Sequence, residues 1–150
     1  MTILRRASRF CALVVSTLVA GQARAIVGES APAPDLAPYT VMVPKRGVDS
    51  AGFCSGAVVA RDVVLTAAHC VAGVAHTRAH FRGRDGAPVL LDVAAIATHP
   101  EFRADAVKAR ARSIDLALVR LARPLPEPFA VVNLAEDRAG VGESVRLAGF

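Results

Sequence analysis

Two residues of this chain have the types and positions that proton transfer requires. His69 ends an apolar, β-branched stretch in the segment Leu-Thr-Ala-Ala-His-Cys, and Asp115 directly precedes the apolar run Leu-Ala-Leu-Val. An imidazole titrates near neutrality and can take up and return a proton, and a carboxylate beside it fixes its tautomer. The pair therefore predicts the general base and the orienting acid of a nucleophilic triad.

The nucleophile of such a triad is not found in these 150 residues. Neither Gly-Asp-Ser-Gly nor Gly-x-Ser-x-Gly, segments that place a serine on a sharp turn, occurs before Phe150. Ser55 lies in an apolar strand-like stretch, and Ser144 opens a strand and has no glycine after it, so we expect neither to be catalytic. The chain as given is therefore expected to be inactive.

Both residues also have ordinary structural interpretations. His69 alone is compatible with a turn histidine held by one hydrogen bond, and Asp115 with a strand-edge acid paired with Arg112. No metal and no cofactor is predicted, because His-Glu-x-x-His and Cys-x-x-Cys spacings are absent. The other histidines, which are His76, His80 and His99, do not have these spacings either.

The order of the motifs resembles that of the chymotrypsin/trypsin-like serine endopeptidases. The matching segments are Ile26-Val27-Gly28, Cys54-Ser55-Gly56, Thr66-Ala67-Ala68-His69-Cys70 and Asp115-Leu116-Ala117-Leu118. The resemblance runs from Ile26 to Phe150 and covers the N-terminal half of such an enzyme. It implies that His69 is the base, Asp115 is the orienting acid and the substrates are proteins or peptides. It also implies that the serine, the oxyanion hole and the specificity pocket belong to the C-terminal half.

The resemblance further implies roles for Ile26 and for two cysteines. In the family, a freed Ile-Val-Gly terminus inserts its α-ammonium against an acid beside the nucleophile, and we expect this of Ile26. Cys54 and Cys70 are an even pair in an exported chain, which suggests a disulfide that matches the bridge of the family. The alternative is two reduced, buried thiols.

Residues 1–25 have the features of a secretory signal peptide. A basic start with three arginines is followed by an apolar stretch over residues 10–20 and by the small-x-small site Ala23-Arg24-Ala25. We therefore expect a secreted protein, extracellular or periplasmic, cleaved near Ala25. No later segment offers about 20 apolar residues without charge, so no membrane anchor is predicted.

The net charge of +5 comes mostly from this leader. Four of the 18 basic residues and none of the 13 acidic residues lie in it, which leaves the remainder at about +1. The remaining arginines are scattered among acidic residues, so no nucleic-acid partner is expected. The sequence carries no signal for an oligomeric state.

Short apolar or alternating stretches predict an all-β fold with six strands, over residues 39–43, 53–60, 63–67, 77–81, 89–97 and 116–121. The resemblance implies that they form the first six-stranded antiparallel barrel of a trypsin-like double β-barrel. Residues 104–112 are expected to form a short exposed helix or a surface loop.

The amino-acid composition changes after the sixth predicted strand. Residues 123–128 contain three prolines and suit a linker between barrels, and residues 144–148 predict the first strand of an incomplete second barrel. The expected organisation is a signal peptide over 1–25, a first barrel over 26–122, and a linker with the start of a second barrel over 123–150.

Two functions are compatible with these features. One is a secreted serine endopeptidase that uses a His-Asp-Ser triad. The other is a non-catalytic secreted homologue that binds partners through the barrel surface, which would leave apolar surface exposed where the second barrel normally packs. The spacing of potential ligands argues against a metal-dependent hydrolase.

Overall fold

The computed structural model describes residues 31–47, 51–134 and 140–150. Six strands form a closed antiparallel barrel in the order β1-β2-β3-β6-β5-β4. They are β1 (Thr40–Arg46), β2 (Ala51–Ala60), β3 (Val63–Thr66), β4 (Arg78–Arg82), β5 (Pro88–Thr98) and β6 (Ala117–Leu121). The predicted six-stranded, all-β barrel is confirmed, with strand ends shifted by a few residues.

The interior of the barrel is filled by apolar side chains that alternate along the strands. In β6, Ala117, Val119 and Leu121 are buried while the residues between them are exposed. Successive side chains of a strand point to opposite faces, so this period of two places one side chain in every pair inside. Small β-branched residues dominate the core, which contains Val41, Val43, Val58, Val64, Ala79, Leu91, Val93, Val119, Leu121 and Leu125.

Close packing explains the glycine of the Cys-Ser-Gly segment. A Cβ atom at Gly56 would overlap with Cγ1 of Val64 and would lie 3.0 Å from Cγ2 of Val43. These two valines are buried on neighbouring strands, in a close-packed core that resists their displacement. The core therefore has room for a glycine, but not for a larger residue, at this position of β2.

Helical structure within the described residues is limited to single turns. Three 3-10 turns span Ala37–Tyr39, Ala68–Cys70 and Val74–His76. One short α-helix, α1 (Ala106–Ala109), lies in the segment for which the sequence allowed a helix or a loop. It is followed by Arg110 in the left-handed conformation, with φ 50°.

The proline-rich segment after β6 packs on the barrel. The side chain of Leu125 is only 1% exposed, and its amide donates to the carbonyl oxygen of Arg61 at 2.7 Å. The Arg61 guanidinium donates in turn to the carbonyl oxygen of Leu125 at 2.9 Å. Phe129 contacts Phe81 edge to face, with ring centroids 5.0 Å apart. Packing on the barrel thus continues past residue 122.

Residues 144–148 differ from the sequence-based expectation of a strand. Residues 140–150 are exposed throughout and form no ladder with any described strand. Their contacts are a salt bridge from Arg146 to Asp35, at 2.7 Å, and a hydrogen bond from the Phe150 amide to Ser55 Oγ, at 2.8 Å. A strand needs neighbouring backbone groups as hydrogen-bond partners, and the described residues offer none here.

Within the described residues, no helix has the length and apolar character needed to cross a membrane. The signal peptide predicted for residues 1–25 and the Ile26 terminus lie outside the described residues.

Candidate active site

The register of two strands brings His69 and Asp115 to one edge of the barrel. β3 and β6 are antiparallel, with Thr66 opposite Ala117, so the end of β3 lies beside the start of β6. His69 follows β3 on the 3-10 turn Ala68–Cys70, and Asp115 lies just before β6. Two residues 46 positions apart in the sequence therefore emerge side by side.

Asp115 contacts His69 at both the ring and the backbone. The distance from His69 Nδ1 to Asp115 Oδ2 is 2.5 Å, and the His69 backbone amide donates to Asp115 Oδ1 at 2.9 Å. An ionised carboxylate only accepts hydrogen bonds, so Nδ1 carries a proton, and in the neutral ring the lone pair is then on Nε2. The structure thus pairs Asp115 with His69; among the described residues, Asp115 forms no ion pair with Arg112.

The surroundings of Asp115 favour its ionised form. The hydrogen bond from the His69 ring, followed by the one from the His69 backbone amide, holds the pKa of Asp115 below its ordinary value of 3.8. The side chains of His69 and Asp115 are 62% and 41% exposed, so water screens their attraction. Asp115 is therefore ionised and accepts hydrogen bonds at neutral pH. Its two hydrogen bonds fix its position relative to His69, and the electrostatic attraction between the two side chains is weak.

The turn that carries His69 is anchored by several other contacts. The Lys45 ammonium donates a hydrogen bond to the carbonyl oxygen of His69. Thr66 Oγ1 donates to the carbonyl oxygen of Ser55 at 2.9 Å, which joins the end of β3 to β2. No sequence signal points to Lys45, because a lysine at the end of a strand is usually a solvated surface residue.

A disulfide attaches the same turn to β2. Cys54 and Cys70 are bonded, with their Cα atoms 6.0 Å apart, as the pairing inferred from the family resemblance requires. Cys70 is buried, and its Sγ lies 3.4 Å from Nε2 of the neighbouring His69 ring. The bridge therefore restricts the position of the turn directly beside the imidazole.

An open depression of about 700 Å³ lies beside the pair. Apart from His69 and Asp115, its lining comes mainly from residues 102–113, around α1. In the part of the chain that is described, no serine hydroxyl forms a hydrogen bond with the His69 ring. Ser55 Oγ instead accepts a hydrogen bond from the Phe150 amide. The arrangement places an imidazole and a carboxylate in contact beside an open depression.

The comparisons with known proteins agree with this geometry. A sequence profile of the trypsin family matches residues 26–150. A vitellin-degrading protease of Bombyx mori is 44% identical over 72 residues, which cover 44% of this chain and 25% of that protein.

Two solved structures are similar in fold. A structure described as GrC aligns with a TM-score of 0.55 and 26% identity, over 77% of this chain and 49% of that one. Kallikrein-related peptidase 10 aligns with a TM-score of 0.50 and 29% identity, over 69% and 46%. The matched regions span about half of these two structures and a quarter of the curated relative. With its profile match over residues 26–150, the chain belongs to the trypsin family of serine proteases.

Proposed function

We propose that this chain is part of a secreted serine endopeptidase that hydrolyses peptide bonds in proteins or peptides. His69 is the general base, Asp115 is the acid that orients it, and the nucleophile is a serine outside residues 1–150. The observation that supports this most is the double attachment of Asp115 to His69, which orients Nδ1 toward the acid and leaves the lone pair of the neutral ring on Nε2.

In the proposed reaction, the serine hydroxyl loses its proton to His69 Nε2 while its oxygen attacks the peptide carbonyl carbon. The same nitrogen then returns the proton to the leaving amine. Asp115 stabilises the imidazolium formed between these steps, and its lowered pKa keeps it ionised for this role. Together, the disulfide and the Lys45 contact reduce the freedom of the turn before a substrate binds.

Secretion and maturation are part of the same proposal. Cleavage after Ala25 produces a chain that begins with Ile26, whose α-ammonium then inserts beside the nucleophile without a separate activating protease. N-terminal sequencing of the secreted protein is the direct measurement. A mature chain that begins at a residue other than Ile26 would remove this self-activating step and leave the His69–Asp115 pair unaffected.

The catalytic proposal is tested by covalent labelling of the whole protein, expressed from its complete reading frame. A fluorophosphonate reacts with a serine only when a base activates it. We expect the wild type to be labelled and His69→Ala to be labelled at least about 1,000-fold more slowly. His76→Ala is the matched control, because His76 is exposed and forms no hydrogen bond with Asp115 in the structure, and it should label like the wild type.

Mass spectrometry of the labelled protein locates the nucleophile. We expect a serine outside residues 1–150, and modification of Ser55 or Ser144 would contradict the proposal. A folded wild type that resists labelling would favour the non-catalytic binding homologue. Equal labelling of His69→Ala and wild type would remove His69 from the mechanism.

A further inference from the structure

A cavity of about 610 Å³ lies at one end of the barrel. Its lining comes from two stretches, residues 81–91 around the turn between β4 and β5 and residues 123–129 after β6. Sites for small molecules have volumes of about 300–1,000 Å³ and apolar walls with a few polar groups, and they occur in the mouths of β-barrels. The size and the place of this cavity are therefore those of a small-molecule site.

The cavity is remote from the His69–Asp115 pair. Ala117, at the start of β6 beside the pair, is opposite Thr98 at the end of β5. β5 contributes to the cavity near its own beginning, through Leu91. At about 3.3 Å per residue, the stretch of β5 from Leu91 to Thr98 is about 20 Å long. A ligand in the cavity would therefore bind at the opposite end of the barrel from the pair.

The apolar lining of the cavity continues the core of the barrel. Leu91 belongs to the core and is 2% exposed, and Phe81, Val89 and Phe129 are partly buried and pack against the core. Two exposed proline rings add to this lining, from Pro124 and Pro126. Apolar surface that remains accessible in a cavity gains free energy when a ligand covers it. The lining therefore favours a ligand with an apolar body.

Three guanidinium groups line the same cavity, against one carboxylate. Arg82, Arg84 and Arg123 are exposed, and the lining acid, Glu127, is paired with Arg61 at 2.7 Å. Among the described residues, Arg84 and Arg123 take part in no salt bridge. The excess of positive charge around the cavity therefore favours an anionic group on the ligand.

The turn between β4 and β5 determines which arginines are available to a ligand. The Arg82 guanidinium donates to the carbonyl oxygen of Gly86 at 3.0 Å, so part of it is used within the turn. Asp85 accepts a hydrogen bond from the Ala87 amide at 3.0 Å and is not among the lining residues. The acid of the turn is thus held by the backbone, and Arg84 keeps its charge for the cavity.

We propose that this cavity binds a small amphipathic carboxylate, such as a medium-chain fatty acid. The apolar chain lies against Phe81, Val89 and Leu91, and the carboxylate accepts hydrogen bonds from Arg84 and Arg123. A guanidinium presents its donors in a planar fork that matches the two oxygens of a carboxylate. Binding needs neither a serine nor the His69–Asp115 pair, so it does not depend on the proposed peptidase activity.

The site is tested by calorimetric titration of the whole protein, expressed from its complete reading frame, with decanoate. Decanamide has the same chain without the charge, and acetate has the charge without the chain. We expect one decanoate per protein, bound at least about tenfold more tightly than decanamide, because hydrogen bonds to a charged group are the stronger ones. Acetate should show no measurable heat of binding.

Arginine variants test the anionic end of the site. Arg84→Gln and Arg123→Gln should each weaken decanoate binding at least about fivefold and should leave decanamide binding unchanged. Arg120→Gln is the matched control, because Arg120 is exposed on β6 and is not among the lining residues, and it should bind decanoate like the wild type.

Nuclear Overhauser contacts locate the apolar end. We expect contacts from the methylene groups of bound decanoate to the methyl groups of Val89 and Leu91. Contacts to Leu116 and Leu118 instead would place the ligand on the exposed apolar surface at the other end of β6 and would overturn the site.

The site would also be overturned by equal affinities for decanoate and decanamide, by wild-type affinity in the variant that lacks both Arg84 and Arg123, or by no binding up to about 1 mM decanoate. The comparison of decanoate with decanamide uses only the wild type, so the test does not depend on the folding of a variant. Each of these outcomes would leave the peptidase proposal intact, because that proposal is tested separately by fluorophosphonate labelling.

Discussion

Asp115 holds His69 at two points, with Oδ2 2.5 Å from the ring Nδ1 and Oδ1 2.9 Å from the backbone nitrogen. Both bonds depend on the β3–β6 register, which places Thr66 opposite Ala117 and so aligns the residues beyond these strand ends. A shift of that register would move the acid away from the turn. The barrel itself therefore sets the geometry of the pair.

The first prediction concerns the tautomer of His69 in Asp115→Asn. An asparagine amide can donate to Nδ1, which would move the ring proton to Nε2 and remove the lone pair there. Nitrogen NMR of the ring should show the proton on Nδ1 in the wild type and on Nε2 in the variant. In the whole enzyme we expect kcat to fall by about 10⁴, which is the cost of the same Asp-to-Asn change in the triad of a well-studied serine protease.

Asp92→Asn is the control for this experiment. Asp92 forms an exposed pair with Arg78 at 2.9 Å and has no contact with His69 in the structure, so its loss should leave the ring tautomer unchanged. An unchanged tautomer in Asp115→Asn would show that the carboxylate of Asp115 does not determine which nitrogen of the His69 ring carries the proton.

The second prediction concerns the pH dependence of stability. The pKa of Asp115 is lowered in the folded chain, so between the folded and unfolded values the unfolded state binds more protons and stability rises with pH. The contribution is complete above the ordinary value of 3.8 and is lost as the pH falls through the folded value. Because both side chains are well exposed, it should not exceed about 1 kcal/mol.

The measurement is the difference in free energy of unfolding between wild type and Asp115→Asn, from denaturant titrations over a range of pH. This difference isolates Asp115 from Asp35, whose pKa is also lowered, by its hydrogen bond from Arg146. A difference that grows on acidification would have the wrong sign.

The barrel and the contact between His69 and Asp115 could be predicted because their signals are local or specific. Alternation of apolar residues marked strands such as β6, and the Ala-Ala-His-Cys segment carried the resemblance that joined His69 to Asp115. Alternation alone does not say where a strand finds its partner. Residues 144–148 have the pattern of a strand but no ladder among the described residues.

Two other long-range contacts could not be predicted from the sequence. In the sequence, Lys45 has the features of an ordinary surface lysine. Its contact with the His69 carbonyl oxygen depends on the barrel, which brings β1 close to the turn that carries His69. Leu125 lies between prolines in a segment that reads as a linker, yet it is buried because the backbone of Arg61 binds this segment to the barrel. Both contacts join residues that are distant in the chain.

The third prediction concerns Gly56→Ala. The added methyl group would overlap with Cγ1 of Val64 and crowd Val43, so we expect a loss of about 1–3 kcal/mol in the free energy of unfolding. Gly52→Ala is a matched control in the same strand, with no atom within 4 Å of the added group. It should be neutral or slightly stabilising, by up to about 1 kcal/mol. Equal effects would contradict the packing account.

The fourth prediction tests whether the proline-rich segment is part of the barrel's core. Leu125→Ala removes a side chain that is 1% exposed and leaves a cavity, so we expect a loss of about 2–5 kcal/mol in the free energy of unfolding. Leu134→Ala is the control, because that side chain is 69% exposed, and its effect should stay within about 0.5 kcal/mol. If the segment were only a tether, both variants would unfold at the same denaturant concentration as the wild type. A loss at Leu125 alone would mean that the barrel needs this segment for its stability.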